Sequence, residues 1–334
     1  MLKEIHSIGE LSSRGRQIVG DSLFFSDEFK RLAEGENREF LILADEEYVI
    51  PVTVTRKICF VYASFLFHPL SINGKKNDEC SSFLDECVKF LARRKKVQFI
   101  LPTPAYADFE AYPQKSKRIC FGNYICDLKL GEEVLLANMH SKHRNAVRKA
   151  QKDGVIVKSG TTEELISEYV QMDNATWERS GKSSLGAGFY KKKIEDLGDY
   201  CTIFIAYKDD EPQSGALIYY DSKRGYYMFG ANKDRPYTGS GNLLQWEIMK
   251  FLMEQGVEEY SFVGCRINED ENSKYHDIQR FKSRFGGELK TGFMFKCACN
   301  FVMYGLFRMV MILKTRKIEK DVIDQEIPKW RELN

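Results

Sequence analysis

Three short segments of this sequence put cations where they could meet a phosphate or an oxyanion. The first is Ser141-Lys-His-Arg-Asn-Ala-Val-Arg-Lys-Ala-Gln-Lys-Asp-Gly154. At helical spacing, Leu136, Met139, His143, Val147 and Ala150 share one face. Arg144, Arg148 and Lys152 follow one another at i, i+4 on a second face, flanked by Lys142 and Lys149. Such a ridge reads as a solvated helix face, or as a docking surface for the phosphates of a nucleotide, a lipid diphosphate or an RNA. The second segment is Arg235-Pro-Tyr-Thr-Gly-Ser-Gly-Asn242. Gly239, Gly241 and Asn242 there open a helix whose first backbone N–H groups could cradle a phosphate. An ordinary strand-to-helix turn fits the same residues. The third is Gln279-Arg-Phe-Lys-Ser-Arg-Phe-Gly-Gly287, where Arg280, Lys282 and Arg284 alternate with Phe281 and Phe285. The phenylalanines would anchor the turn in a core and aim Lys282 into a cleft; a surface turn is the plainer reading.

The elements that must position these segments recur. Phe40-Leu-Ile-Leu-Ala is a strand, Asp45-Glu-Glu a turn, and Tyr48 to Val54 and Cys59 to Phe65 are strands. Apolar residues at Phe83, Leu84, Cys87, Val88 and Leu91 predict a helix, and Val97-Gln-Phe-Ile-Leu a further strand. The same order of strand, turn, strand, strand, helix, strand returns from Cys201 to Val263, with the helix over Asn242 to Gln255 and Gly256 closing it. Two similar α/β halves are therefore expected, an internal duplication. Between them the pattern predicts one helix over Glu132 to Asp153, a short strand at Val155, and a helix over Thr162 to Arg179.

Composition bounds the rest. The 334 residues carry a formal charge of +2, so no global field selects nucleic acid or an anionic membrane. The opening residues lack the apolar core of a secretory leader, and nine scattered cysteines suit a reducing compartment, so a cytoplasmic protein with small buried thiols is expected. The histidines show no metal-ligand spacing, and no metal is expected. No Ser-His-Asp pattern, G-x-S-x-G elbow or Walker loop occurs. Cys297 to Leu313 is strongly apolar but shorter than a spanning helix, and Lys314, Arg316, Lys317 and Lys320 follow it. It should pack on the protein; the alternative is an interfacial patch on an anionic inner leaflet.

In this order the segments resemble the FemAB family of acyl and aminoacyl transferases, within the GNAT superfamily. The likeness rests on Ser141 to Gly154, on Leu243-Leu244-Gln-Trp246 through Gly256 to Tyr260-Ser-Phe262-Val-Gly264, and on Phe281-Lys282-Ser-Arg-Phe285-Gly286. It implies an α/β (α+β) chain of two tandem GNAT-like domains, each a mixed, mostly antiparallel sheet flanked by helices. The expected division is 1–127, 128–296 and a packed tail, 297–334. The resemblance implies transfer of an acyl or aminoacyl group to an amine of a cell-envelope precursor or glycan, in peptidoglycan or cell-wall chemistry. No tightly bound cofactor is implied; the donor would be aminoacyl-tRNA or a coenzyme A thioester. An N-acetyltransferase for a small metabolite and a non-catalytic binding member are the alternatives. Lys282 and Phe281 would lie beside the reacting ester, in a cleft between the halves. Arg144, Arg148, Lys142, Gly239, Gly241 and Asn242 would hold donor phosphates, and Arg179, Tyr227 and Ser261 would line the acceptor cleft. The family often has an acid where this chain has Ser261, the coiled-coil arm of long members is absent, and Arg235 sits one position early for a GNAT pyrophosphate loop. Peripheral contact with the inner face of the plasma membrane through 297–320 is the remaining expectation.

Overall fold

The structure, a computed structural model, describes residues 1–334 apart from 180, 182, 268–272, 316–320 and 334. In chain order the elements begin with β1 (Lys3–Ile5), α1 (Ser13–Gly20), α2 (Asp27–Ala33), β2 (Arg38–Ala44), β3 (Tyr48–Lys57), β4 (Phe60–Phe65) and β5 (Leu70–Ser71). They continue with α3 (Ser81–Arg94), β6 (Phe99–Ile100), β7 (Lys117–Asp127), α4 (Gly131–Asn138), α5 (Ser141–Lys152), β8 (Ile156–Gly160), α6 (Glu163–Arg179) and α7 (Ala187–Leu197). The remainder is β9 (Cys201–Lys208), β10 (Glu211–Tyr220), β11 (Arg224–Asn232), α8 (Ser240–Glu254), β12 (Glu259–Ser261), β13 (Cys265–Arg266), α9 (Lys274–Ser283), β14 (Glu288–Ala298), α10 (Phe301–Thr315) and α11 (Val322–Leu333).

The chain divides into two compact units. Unit 1 is Met1–Asn123, Gly264–Glu269 and Lys290–Asn334; unit 2 is Tyr124–Val263 and Asp270–Leu289. The first break lies four residues before the expected end of the N-terminal half at 127, while 290–296, assigned to the second half on sequence, group with unit 1.

In unit 1, β1, β2, β3 and β4 pair antiparallel in turn, β4 pairs parallel with β6, and β6 pairs antiparallel with β14. In unit 2, β8, β9, β10 and β11 pair antiparallel in turn, β11 pairs parallel with β12, and β12 pairs antiparallel with β7. Strand order and direction are the same in both, as the repeated pattern predicts. The last strand of each comes from elsewhere in the chain: β7 follows β6 yet completes the sheet of unit 2, and β14 closes that of unit 1.

The core of unit 2 lies under α8, whose Leu243, Leu244, Trp246, Ile248, Met249 and Leu252 are buried against Phe204, Ala216, Ile218 and Tyr260. The turn read at Lys208-Asp-Asp-Glu is a two-residue hairpin with Asp209 and Asp210 both at positive φ, the geometry that matches strand twist.

Two expectations change. The single helix over 132–153 is broken: Met139 is extended and the His140 side chain accepts from the Lys142 amide at 3.2 Å, starting a new helix. The thiols are not all buried, since Cys59 and Cys299 are exposed. Helix α10 packs along one side, and none of its residues over 301–314 is buried. Arg316, Lys317 and Lys320 lie outside the described residues. No helix among the described residues is long and apolar enough to cross a membrane.

Candidate functional site

Helix α8 begins where β11 ends, after a loop from Lys233 to Thr238. Its N-cap, Gly239, has φ +88°, and a Cβ there would stand 2.6 Å from the Ala146 carbonyl oxygen of α5. Glycine is thus required both by the left-handed backbone and by the approach of α5. Ser240 is buried, its hydroxyl 3.1 Å from that of Ser214. The amides of Gly241 and Asn242 stand ahead of the helix's own hydrogen-bond ladder, at the positive end of its dipole.

In front of this helix end lies a cavity of about 860 Å³. Its walls include Gly239, Gly241 and Asn242 on α8, Tyr227, Gly230 and Asn232 on β11, Lys233, Arg235 and Tyr237 on the loop, Arg179 on α6, and Phe281 and Lys282 on α9. Every lining residue belongs to unit 2. The Tyr227 ring folds over Gly230, where a Cβ would meet its hydroxyl at 2.0 Å, so a side chain there would displace this wall. Burial raises the Tyr227 phenol to about 12, which keeps it protonated as a donor at neutral pH. Arg179 donates to the Asn232 carbonyl at 2.6 Å and to the Thr176 hydroxyl at 3.1 Å, which fixes the end of β11.

Lys282 sits in the last turn of α9 and donates from Nζ to the Val263 carbonyl. Val263 lines the same cavity and has φ +32°, a sparsely populated conformation for a β-branched residue. Its amide is held by the Ser261 hydroxyl at 3.3 Å. The anchoring expected of the phenylalanines is present: Phe285 is fully buried against Phe262 and Phe281, with ring centroids at 4.9 and 5.1 Å. His143 of α5 packs against both Phe281 and Phe285 and donates from Nε2 to the Phe281 carbonyl at 3.0 Å. Burial holds its imidazole pKa down at about 4, with the nearby Arg284 and His140 charges acting the same way.

The structure brings together Lys282, Phe281, Gly239, Gly241, Asn242, Arg179 and Tyr227, all on one cavity. Four other candidates lie elsewhere. Arg144 turns back on α4, donating to the carbonyls of Leu136, Ala137 and Met139 at 3.2, 2.9 and 3.2 Å, so it caps a helix end rather than facing a phosphate. Arg148 and Lys142 are exposed on α5, outside the cavity lining. Ser261 has no accessible surface, because its position in β12 faces the core, and it braces Val263 instead of lining a cleft. Sequence reasoning missed Lys233, Tyr237, Gln245 and the Val263 turn. The only sequence signal for the turn was its place after a short strand, and positive φ at valine has no sequence signature.

Comparison with known proteins bears out the resemblance to the FemAB family and the GNAT superfamily. Residues 137–282 match the family model described as an acetyltransferase (GNAT) domain. A lipid II:glycine glycyltransferase of Staphylococcus haemolyticus (strain JCSC1435) is 28% identical over 130 residues, covering 37% of this chain and 31% of that protein. The chain thus spans under a third of the length of that curated relative. The crystal structure of FemX superposes with a TM-score of 0.67 at 14% identity, over 91% of this chain and 99% of that one. A tandem GNAT protein from the clavulanic acid biosynthesis pathway superposes with a TM-score of 0.51 at 10% identity, over 89% and 98%. At these identities the structural likeness is one of fold alone, mixed, mostly antiparallel sheets flanked by helices, and the second of these neighbours is described as a tandem GNAT protein.

Proposed function

We infer that this chain, whose residues 137–282 form a GNAT-type domain, transfers an aminoacyl group from aminoacyl-tRNA to an amine of a cell-envelope precursor. One observation carries the reading: a single cavity has Lys282 and Phe281 on one wall and the N-terminus of α8 on another. A helix N-terminus beside Lys233 and Arg235 suits the phosphates of the donor. Lys282 supplies a compact cation for the oxyanion that forms when the acceptor nitrogen attacks the ester carbonyl. As the tetrahedral intermediate collapses, the carbon–oxygen bond to the ribose breaks and the amine's proton ends on the leaving hydroxyl. The residues then act chiefly by alignment and charge stabilisation. Neutral His143 holds the Phe281 carbonyl and so fixes the backbone from which Lys282 projects.

A second reading has a coenzyme A thioester as donor. The GNAT match and the glycine loop that opens α8 favour it. Thermal-shift titration with coenzyme A, a uridine-diphosphate sugar and a non-hydrolysable aminoacyl-tRNA analogue separates the readings. Stabilisation by the tRNA analogue that Arg235→Ala weakens is the expected result. Stabilisation by coenzyme A alone would transfer the assignment to the second reading, and a response to none of them would remove both.

A further inference from the structure

Helix α10 is held on unit 1 with an apolar face turned outward. On its inner side Phe307 packs on Phe60 and Phe99, with ring centroids at 5.3 and 4.7 Å, and Tyr304 packs on Phe99 at 5.3 Å. Its start is fixed because the Asn300 amide donates to the Gln98 carbonyl at 2.7 Å and the Asn300 side chain accepts from the Met303 amide at 3.1 Å. Beyond it, α11 is clamped by the buried Lys296, which pairs with Asp321 at 2.6 Å and Asp324 at 2.8 Å, and by Arg266, which pairs with Glu326 at 2.8 Å. Arg308 of α10 reaches Asp324 at 3.5 Å.

The outer side is unlike an ordinary surface helix. Val302, Leu306, Met309 and Leu313 follow at helical spacing, with Phe301 and Val310 at the margins, and all six are exposed. Val302 and Leu313 are each 79% exposed. No charged residue falls in that sector; Arg308 and Lys314 lie at its two edges. Ile58, 95% exposed at the tip of the β3–β4 turn, belongs to the same end of the unit, since Gln98 also donates to the Cys59 carbonyl at 3.2 Å. In sequence, 314–320 carries four cations, Lys314, Arg316, Lys317 and Lys320, against one acid.

We propose that the outer face of α10 docks on an anionic lipid bilayer, seating Val302, Leu306, Met309 and Leu313 at the acyl boundary with Arg308 and Lys314, at the edges of that face, toward the headgroups. An apolar stripe without polar groups and bordered by cations is the pattern of an interfacial helix. Each cation near an anionic surface adds about fivefold to binding, and Arg308 and Lys314 at the edges of the stripe are of the sign that selects such a surface. This docking stands apart from the transfer chemistry and fails or holds independently of it.

The test is co-sedimentation of the full chain with phosphatidylcholine vesicles, with and without phosphatidylglycerol, alongside size-exclusion chromatography. The wild-type chain should sediment with the anionic vesicles and less as salt rises. Val302→Glu with Leu313→Glu should lower the bound fraction at least about tenfold. Because both side chains point outward, circular dichroism of the variant should match wild type. The milder Leu313→Ser should give an intermediate loss. Wild type that ignores anionic vesicles, or a double variant that binds as well as wild type, would overturn the proposal. A wild-type dimer that the double variant splits, with no vesicle binding, would assign the face to a second copy of the chain instead.

Discussion

Lys282 makes a contact whose loss can be told apart from loss of catalysis. Its ammonium holds the Val263 carbonyl, so Lys282→Ala should cost about 1 kcal/mol of stability. Removing an oxyanion donor should slow transfer ~10²–10³-fold, far more than so small a stability loss explains. Lys282→Arg should rescue poorly, because a planar guanidinium does not replace a compact ammonium. His143 gives a pH signature. Its folded pKa lies near 4, below the ordinary 6.5. Its contribution is therefore present above about 6.5 and is lost as pH falls toward 4, because the unfolded chain takes up the proton first. Denaturant midpoints of wild type and His143→Gln should converge across that window; parallel curves would contradict a buried neutral imidazole. At this scale the sequence identified the Phe281-Lys282-Phe285 anchor, since aromatic residues beside cations are read directly. Arg144 misled because a cation near a helix end serves a cap as readily as a phosphate, and only the break at Met139–His140 tells them apart.

That break makes an element-scale prediction. Arg144→Ala leaves three carbonyls at the end of α4 without their guanidinium donor and should destabilise by about 1–2 kcal/mol. Arg148→Ala, on the exposed face of the same helix, should change stability by no more than about 0.5 kcal/mol. Equal effects would contradict a capping role for Arg144. Gly239→Ala meets both a left-handed backbone and the Ala146 carbonyl, so a loss of about 1–3 kcal/mol is expected in thermal unfolding. The helices α3, α6 and α8 were legible in sequence from the helical spacing of their buried residues, and β9 and β10 as largely apolar runs between turns, buried on both faces. The break before α5 was not, for no proline or glycine marks it. α7 also escaped, its polar run of lysines masking the buried Tyr190, Ile194 and Leu197.

Over the whole molecule, the duplication was legible as an order of elements, and the strand order of the two units matches it. The exchange of last strands was not legible, because β7 and β14 read simply as strands and pairing across long sequence separations leaves no local trace. The division at 123 and the return of 290–334 to unit 1 follow from that exchange. The cavity lined by unit 2 falls where the GNAT model matches, which puts the candidate chemistry in the half whose motifs were clearest. The central claim is that this cavity transfers an aminoacyl group with Lys282 as its charge stabiliser. The most direct measurement is mass-spectrometric detection of an aminoacyl residue added to a cell-envelope precursor, from a pool of charged tRNAs, under single turnover. The account predicts a mass increase of one aminoacyl residue with wild type and a rate ~10²–10³ lower with folded Lys282→Ala. Undiminished product with Lys282→Ala, or no product from charged tRNA while an acyl-coenzyme A donor is consumed, would contradict it.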